Sequence, residues 1–458
     1  MARCPIHRNV RVSSIVLLLP GLFLMAGTTA RAATPEVDSF QIELDQQFAQ
    51  DVAPAEEGAR AVVLFESPGV RRLALVDTVT RSVVDGPEGT FDNNVLPFGG
   101  AVVGRSLYVS SGFQLIRVDL DTKLVTILYQ PPLSGTRPLV SSPVAVTANR
   151  RHVYTISRTD LLRVDTVTDE VVVLAQLEEG NYGIAVSPDE QRVYVADSYT
   201  GLLSRFDTAQ PSEPFSSSFV TSSGIENSYS RVTVGVDGLV YVGYVDRNTR
   251  FNVSVLDPLE NLVAHQAYPF FSTGLDLSGD GTYLLTGEGS FIEKRSLGIV
   301  ARARTGVASH EVHVAAHGGL AFVSNYNSSF VTVVDLGAAP LPVAIGIQTP
   351  GFQGRPDKSR SRLIRVAVLS GPGFDAATVD PSTVCFGSSS DPDARACTDA
   401  HPAGQLQDID GDGDLDRVLH FQTGSTGIVP GDRWACLTAR TYDGVSLAGC
   451  GTLKVVSL

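Results

Sequence analysis

Between Gln407 and Arg417 the chain reads Asp408-Ile409-Asp410-Gly411-Asp412-Gly413-Asp414-Leu415-Asp416. Five carboxylates this close repel one another unless a cation neutralises them. Asp408, Asp410 and Asp412 fall at positions 1, 3 and 5 of a calcium-loop pattern, with Gly413 at 6, the Asp414 main-chain carbonyl at 7 and Asp416 at 9. Alternate residues point to one side, and the glycines let the chain curl so that oxygens meet around an ion. Hard oxygen donors without His or Cys favour calcium over zinc. Position 12 holds Leu419 where an EF-hand has a bidentate Glu, and the flanks alternate like strands, so an EF-hand is not expected. Asp399 or Asp432 is the candidate to complete the shell. A structural calcium is the expectation, against the alternative of a solvated acidic hairpin.

A second cluster stands at His310-Glu311-Val312-His313. It is one residue short of H-E-x-x-H, and on a strand positions 310 and 313 face opposite sides, so the helical zinc geometry does not form. His310 and Glu311 are the candidate catalytic pair. The plainer reading is that they are hydrogen-bonded where a strand begins. His313 and His317 are expected to pack or to sit in an inner hairpin. No G-x-S-x-G elbow and no P-loop is present.

The elements that must carry these residues repeat. A V-Y-V-like strand recurs at 61–65, 107–110, 153–156, 193–196, 240–243, 283–286 and 321–324. Each is followed by a strand closing near Val-Asp, at 73–78, 115–120, 161–166, 202–208, 253–258, 292–297 and 331–336. Asp77, Asp119, Asp165, Asp207, Asp257 and Asp335, with Ser296 standing in the sixth unit, sit 39 to 50 residues apart. Such an Asp accepts from the N–H two residues on and holds a turn. Outer strands follow at 124–129, 171–176 and 299–304. Four short strands per unit of forty-odd residues, seven times over, is a seven-bladed β-propeller pattern. The first unit shows no clear inner strand, and Phe40–Leu44 is the candidate; whether 36–46 or the segment after Leu336 closes the ring stays open. Tyr194, Tyr241 and Phe322 recur at the repeat period and are expected in the core between blades.

Two stretches, GIAVSPDEQRVYVADSYTGLLSRFDT at 183–208 and HEVHVAAHGGLAFVSNYNSSFVTVVDL at 310–336, resemble YVTN-type propeller repeats. Those repeats occur in surface-layer-like secreted proteins and are similar to lactonase-type seven-bladed propellers. The likeness covers roughly 59–343 and implies fold more than function, because propellers host lyases, lactonases, dehydrogenases and plain scaffolds. The only tryptophan, Trp434, lies outside the repeats, which removes WD repeats and Trp-bearing quinoprotein repeats. Aligning the units puts Phe98, Ser142, Tyr182, Ser230, Thr273 and His310 just before the innermost strands, with Arg231, Glu311, Asn181 and Asn227 beside them. That hydroxyl-rich, aromatic set is thin for a metal-dependent enzyme, which needs several carboxylates or amides from different blades.

After Pro340-Leu341-Pro342 the repeat stops. Strands at 363–369, 382–387, 417–421, 434–439 and 452–457, separated by turn residues, suggest a small β-sandwich. Segments 374–387, 408–428 and 435–450 resemble a β-domain found at the C-termini of exported bacterial proteins, in which the Asp run is taken as a structural calcium loop. Cys385, Cys397, Cys436 and Cys450 cluster here and read as two disulfides, with Cys385–Cys397 and Cys436–Cys450 favoured among three possible pairings. A four-cysteine zinc site would need C-x-x-C spacing, which is absent.

At the other end, Arg3, His7, Arg8 and Arg11 precede an apolar run from Ile15 to Ala26, and Ala30-Arg31-Ala32 supplies a cleavage point. A secretory signal peptide is the expectation; Pro20 and the short run argue against a membrane anchor. No later stretch is long enough to span, so the mature chain is expected to carry no transmembrane segment. Net charge is −14, and loss of the leader's four arginines takes it to −18. Such acidity disfavours nucleic acid.

The expected protein is therefore all-β: a signal peptide at 1–32, a seven-bladed propeller at 33–343 and a sandwich at 344–458. It would be secreted, periplasmic or on the cell surface, and bind a surface polymer, a glycan or an exported protein. The competing expectation is a lactonase- or lyase-type enzyme at the channel mouth.

Overall fold

The computed structural model describes residues 34–44, 48–55, 58–67, 70–85, 99–110, 114–131, 143–178, 182–197, 200–209, 215–218, 230–246, 248–306, 309–315, 319–325, 328–348, 363–397 and 404–453. The signal-peptide reading falls outside them.

Among the described residues, seven four-stranded antiparallel blades follow one another, and the innermost strand of each neighbours that of the next, the seventh lying beside the first. The V-Y-V-like segments are the second strands, such as His152–Ser157 and Arg192–Asp197. Their side chains are apolar on both faces because each blade is covered on both sides, so Tyr108, Tyr154, Tyr194, Tyr241 and Phe322 are fully buried. Burying an aromatic of this size contributes about 1.5–3 kcal/mol, and the repeat period places such a residue in blade after blade.

Two turn devices recur. At the end of the third strand Asp77, Asp119, Asp165, Asp207, Asp257 and Asp335 each accept from the N–H two residues on, at 2.9–3.1 Å. In the sixth blade the job falls to Glu293 and not to Ser296. The third strand there is Ser290–Glu293, and the Glu293 carboxylate accepts from the N–H of Arg295 and Ser296. Between first and second strands, Thr147, Ser187 and Ser278 donate to Asn149, Asp189 and Asp280 two residues on, closing the inner hairpin.

The ring closes through the N-terminus. Ser39–Glu43 is the outer strand of the seventh blade, paired antiparallel with Phe330–Asp335. This corrects the expectation that Phe40–Leu44 begins the first blade. The first blade has its own inner strand, Phe48–Pro54, hidden in the sequence because it carries Gln50, Asp51 and Pro54. Just ahead, Glu36–Val37 adds in parallel to Gly298–Ala303, the outer strand of the sixth blade.

After a 3₁₀ turn at Leu336–Ala338, two four-stranded sheets face each other over a core centred on Val366, Phe386, Leu419, Phe421 and Leu437. Cys385–Cys397 and Cys436–Cys450 are disulfides, as expected. The last described strand is Ser446–Thr452, directly across from Trp434–Arg440 with Cys436 opposite Cys450. Of the expected final strand at 452–457, Thr452 ends this strand, Leu453 lies just past it, and 454–458 lie outside the described residues. Gly449, Cys450 and Gly451 masked the strand in the sequence; Gly449 and Gly451 are needed because a Cβ there would meet Val343 and Ile345.

The sandwich sits on the rim of the sixth blade. Ile299 N–H donates to Ser389 O at 3.0 Å, the Arg395 guanidinium donates to Ile299 O, and Tyr283 OH reaches Pro340 O at 2.6 Å. One apolar cluster contains Val37, Tyr283, Phe291 and Val300 of the propeller with Cys436 and Ala448 of the sandwich.

Candidate functional site

The innermost strands leave a cavity of about 330 Å³ on the axis, and all seven blades line it. Three of its ionisable side chains come from consecutive blades. Asp276 is the middle residue of Leu275–Leu277 in blade six, His313 lies on Ser309–Val314 in blade seven, and Asp51 lies on Phe48–Pro54 in blade one. His313 Nε2 is 2.8 Å from Asp51 Oδ1, and the other Asp51 oxygen accepts from Gly100 N–H of blade two at 2.9 Å. Asp276 accepts from Val314 N–H of blade seven at 2.9 Å, from Leu277 N–H at 2.8 Å and from the Thr233 hydroxyl of blade five at 3.4 Å.

A hydrogen-bonded belt therefore runs from blade five through six, seven and one to blade two. Its logic is the edge-strand problem. Innermost strands present unpaired N–H groups to the channel, and a carboxylate from the preceding blade takes one at Gly100 and one at Val314. Depth in the channel pushes the Asp276 carboxyl above its ordinary range, against the pull of the Val314 N–H, the His313 charge and its remaining hydrogen bonds.

Arg231 and Arg150 line the opposite sector. Arg231, on Ser230–Val234 of blade five, donates to Ser230 O at 2.9 Å. Arg150, in the inner turn of blade three, donates to Val102 O of blade two at 3.0 Å. Ile184, Ala185 and Val186 of blade four lie between them.

The sequence candidates fare unevenly. His310 and Glu311 lie on Ser309–Val314 where its register against Leu320–Asn325 shifts between Ser309 and Val312; their side chains, like that of Tyr182, lie outside the described residues. Phe98, Ser142, Asn181, Asn227 and His317 also lie outside them. Ser230 and Thr273 are buried and do not open onto a mouth; the Ser230 hydroxyl is spent on Ala196 O of blade four at 2.8 Å. Sequence reasoning missed Asp51 and Asp276. The available signal was an acid in the middle of an inner strand, in FAQDVAP and LDL, where the inner strands of blades two and three carry only apolar or small residues.

In the sandwich, carboxylate oxygens of Asp408, Asp410 and Asp416 lie within 4.8 Å of one another. Asp412 and Asp414 are outside that group. Asp416 is fully buried, accepting from Ser370 N–H at 2.9 Å and Ile409 N–H at 2.8 Å. Asp408 accepts from Gly411 and Gly413 N–H, and both glycines have positive φ, 83° and 98°, which curls the loop. Desolvation, the Asp412 hydrogen bond and neighbouring charge push Asp414 up to about 6. Asp432 accepts from Val429 N–H in its own turn and does not join the cluster; Asp399 lies outside the described residues.

No family model matches this chain, and no curated protein matches it. Among solved structures it is similar to the Kuenenia stuttgartiensis hydrazine synthase, at 15% identity and a TM-score of 0.51, over 64% of this chain and 97% of that one. It is also similar to the β-propeller domain of Myceliophteria thermophila Cps50 (Swd1), at 13% identity and a TM-score of 0.47, over 64% and 98%. The fold is a β-propeller. Likeness at this identity carries no chemistry across.

Proposed function

We propose that this is an exported binding protein of the YVTN-repeat type, whose propeller face takes a surface polymer, a glycan or an exported protein. The observation that carries the reading is the state of the channel acids. Both oxygens of Asp51 and of Asp276 are engaged in holding neighbouring blades, which suits a rigid platform better than a general base. Two disulfides, and no helix among the described residues long and apolar enough to cross a membrane, are consistent with export. Co-sedimentation of the mature chain with purified envelope polysaccharides and a glycan array test it. Retention on one polymer class, unchanged in His313→Ala, is expected. Retention on none overturns it.

The second reading, a lactonase- or lyase-type enzyme, is favoured by one observation: Asp51, Asp276 and His313 reach the channel from three blades, and the Asp276 carboxyl is raised. Turnover of lactones or uronates that His313→Ala abolishes would establish it.

For the sandwich we propose a structural calcium held by Asp408, Asp410 and Asp416. Donor oxygens within 4.8 Å of one another suit an ion bound at ~2.3–2.6 Å, and the ion would neutralise the acids crowded beside it. Calorimetric titration of chelator-stripped protein is expected to show one site that Asp408→Ala with Asp410→Ala removes. A site surviving those changes would move the metal elsewhere, and no heat at millimolar calcium would end the metal proposal.

A further inference from the structure

The two disulfides of the sandwich serve different places. Cys385–Cys397 closes a loop inside the sandwich, where Phe386 also bridges to Ala396. Cys436 and Cys450 stand directly opposite each other on Trp434–Arg440 and Ser446–Thr452, two strands that the backbone already pairs. Side chains alternate along a strand. Ala435 and Leu437 enter the sandwich core, and Gly449 and Gly451 face Val343 and Ile345. The Cys436–Cys450 bridge therefore points the other way, onto blade six. A Cβ at Gly298 would collide with Cys436 Sγ and lie 3.2 Å from Cys450 Sγ. The sulfurs thus pack on bare backbone at the first residue of the outer strand Gly298–Ala303.

The far end of that strand holds the segment that leads into ring closure. Glu36–Val37 pairs with Arg302 and Ala303, and Arg302 N–H donates to Pro35 O at 2.9 Å. Val37 is buried in one cluster with Cys436 and Ala448. Two residues on, the chain becomes Ser39–Glu43, which closes the ring on blade seven.

We propose that the sandwich clasps the propeller ring shut and that the redox state of Cys436–Cys450 sets the clasp. Bonded sulfurs lie well inside non-bonded contact, so two thiols in their place need more room. Gly298 and Ser389 occupy the space beside them, and a close-packed seam does not absorb the change. Reduction lifts the sandwich from blade six, uncovers Val37 and removes the anchor ahead of Ser39–Glu43. The opening reagent is a dithiol carrier. Its thiolate attacks Cys450 Sγ, the half-buried sulfur, and Cys436 leaves as the thiolate from its fully buried position. The carrier's second thiol then releases Cys450, so the carrier ends as a disulfide and the bridge gains two electrons and two protons. A disulfide carrier closes the clasp by the reverse exchange. The clasp is independent of which ligand the propeller face takes and of the calcium loop.

The test is hydrogen exchange by mass spectrometry on the mature chain under native conditions, with and without dithiothreitol, with alkylation reporting which cysteines are free. As Cys436 and Cys450 become alkylated, exchange over 36–43 and 298–303 is expected to rise about tenfold or more, while 152–165 of blade three stays unchanged. Cys385→Ser with Cys397→Ser should leave that response intact; should this variant not fold, the alkylation time course of the unaltered chain separates the two bonds. Cys436→Ala with Cys450→Ala should make exchange over 36–43 indifferent to dithiothreitol. Free Cys436 and Cys450 with unchanged exchange over 36–43 would overturn the proposal. So would a response that survives the paired Ala change, or a bond reduced only when blade three exchanges as fast as the seam.

Discussion

Blades three and six are built to one plan and end differently. The outer strand of blade three, Val171–Gln176, has no fully buried residue, and Val173 and Gln176 are exposed. The outer strand of blade six, Gly298–Ala303, is buried at five of its six residues, covered by Glu36–Val37 and by the sandwich. Blade six is also where the repeat is least regular: its third strand is short, and Glu293 does the turn work that Asp165 does in blade three. The departure from the repeat marks the place where the chain has a second surface to satisfy.

The largest test of that contrast is Phe291→Ala. Phe291 lies in the cluster that joins Val37 and Val300 to Cys436 and Ala448, so its loss leaves a cavity at the seam between propeller and sandwich. A cost of about 3–5 kcal/mol is expected. Thermal unfolding followed by calorimetry should also split from one transition into two, because the seam is what couples the two units. A single transition at an unchanged midpoint would mean that the seam contributes little.

Gly298→Ala attacks the same seam from the other side. A Cβ at Gly298 would come within 2.4 Å of Cys436 Sγ and 3.1 Å of Ser389 Cβ, neither of them the end of a flexible chain. Overpacking of this kind costs about 1–3 kcal/mol. The decisive control is the variant with the Cys436–Cys450 bridge removed by paired Ala substitution: Gly298→Ala should cost much less in that background. Equal costs in both would contradict the contact.

How much of this was visible in the sequence follows from the same contrast. The second strands were legible in nearly every blade because a strand covered on both faces is written in near-continuous apolar residues, and the third strands because nearly all of them close on an acid. Asp77 to Asp335 were legible because a turn acid has a local partner two residues away. What escaped needed a partner far along the chain. Phe48–Pro54 carries Asp51, whose reason for being there is His313, 262 residues on. Gln50 and Pro54 then disguise the strand further. Ser446–Thr452 was hidden by glycines whose smallness answers Val343 and Ile345. The acidic loop was readable as a pattern, yet which acids converge was not: Asp416 joins Asp408 and Asp410 because Ser370 N–H fixes it from a different strand end.

The turn acids that end the third strands carry an acid sensitivity. Burial raises Asp165, but the N–H groups of Thr168 and Val167 and the Arg151 guanidinium outweigh it and hold the carboxyl at about 2. Hydrogen bonds likewise hold Asp77, Asp119 and Asp257 below the usual carboxylate range. A carboxyl depressed on folding stabilises fully above its unfolded value, about 4, and that contribution disappears as pH falls through the folded value. Urea midpoints should therefore drop steadily from about pH 4 towards pH 2. Asp165→Asn keeps an acceptor for the turn but removes the titration, so its midpoint should vary less over that window; an identical pH profile would show that the loss arises elsewhere.

The smallest effect is expected where the rim is open. Ile127 in the outer strand of blade two is 55% exposed, with Leu124 and Val125 exposed beside it. Its side chain touches no second layer, because nothing among the described residues covers that rim as Glu36–Val37 and the sandwich cover blade six. Ile127→Ser removes no buried contact, although Ser forms strands less readily than Ile. A change within about 0.5 kcal/mol is expected in urea unfolding, with an unchanged slope. The same polar substitution at buried Val300 of blade six should instead be among the costly changes, since it strands a hydroxyl in the seam. Near-equal effects at Ile127 and Val300 would mean that the two rims are alike in solution, and the burial of blade six would then have no energetic consequence.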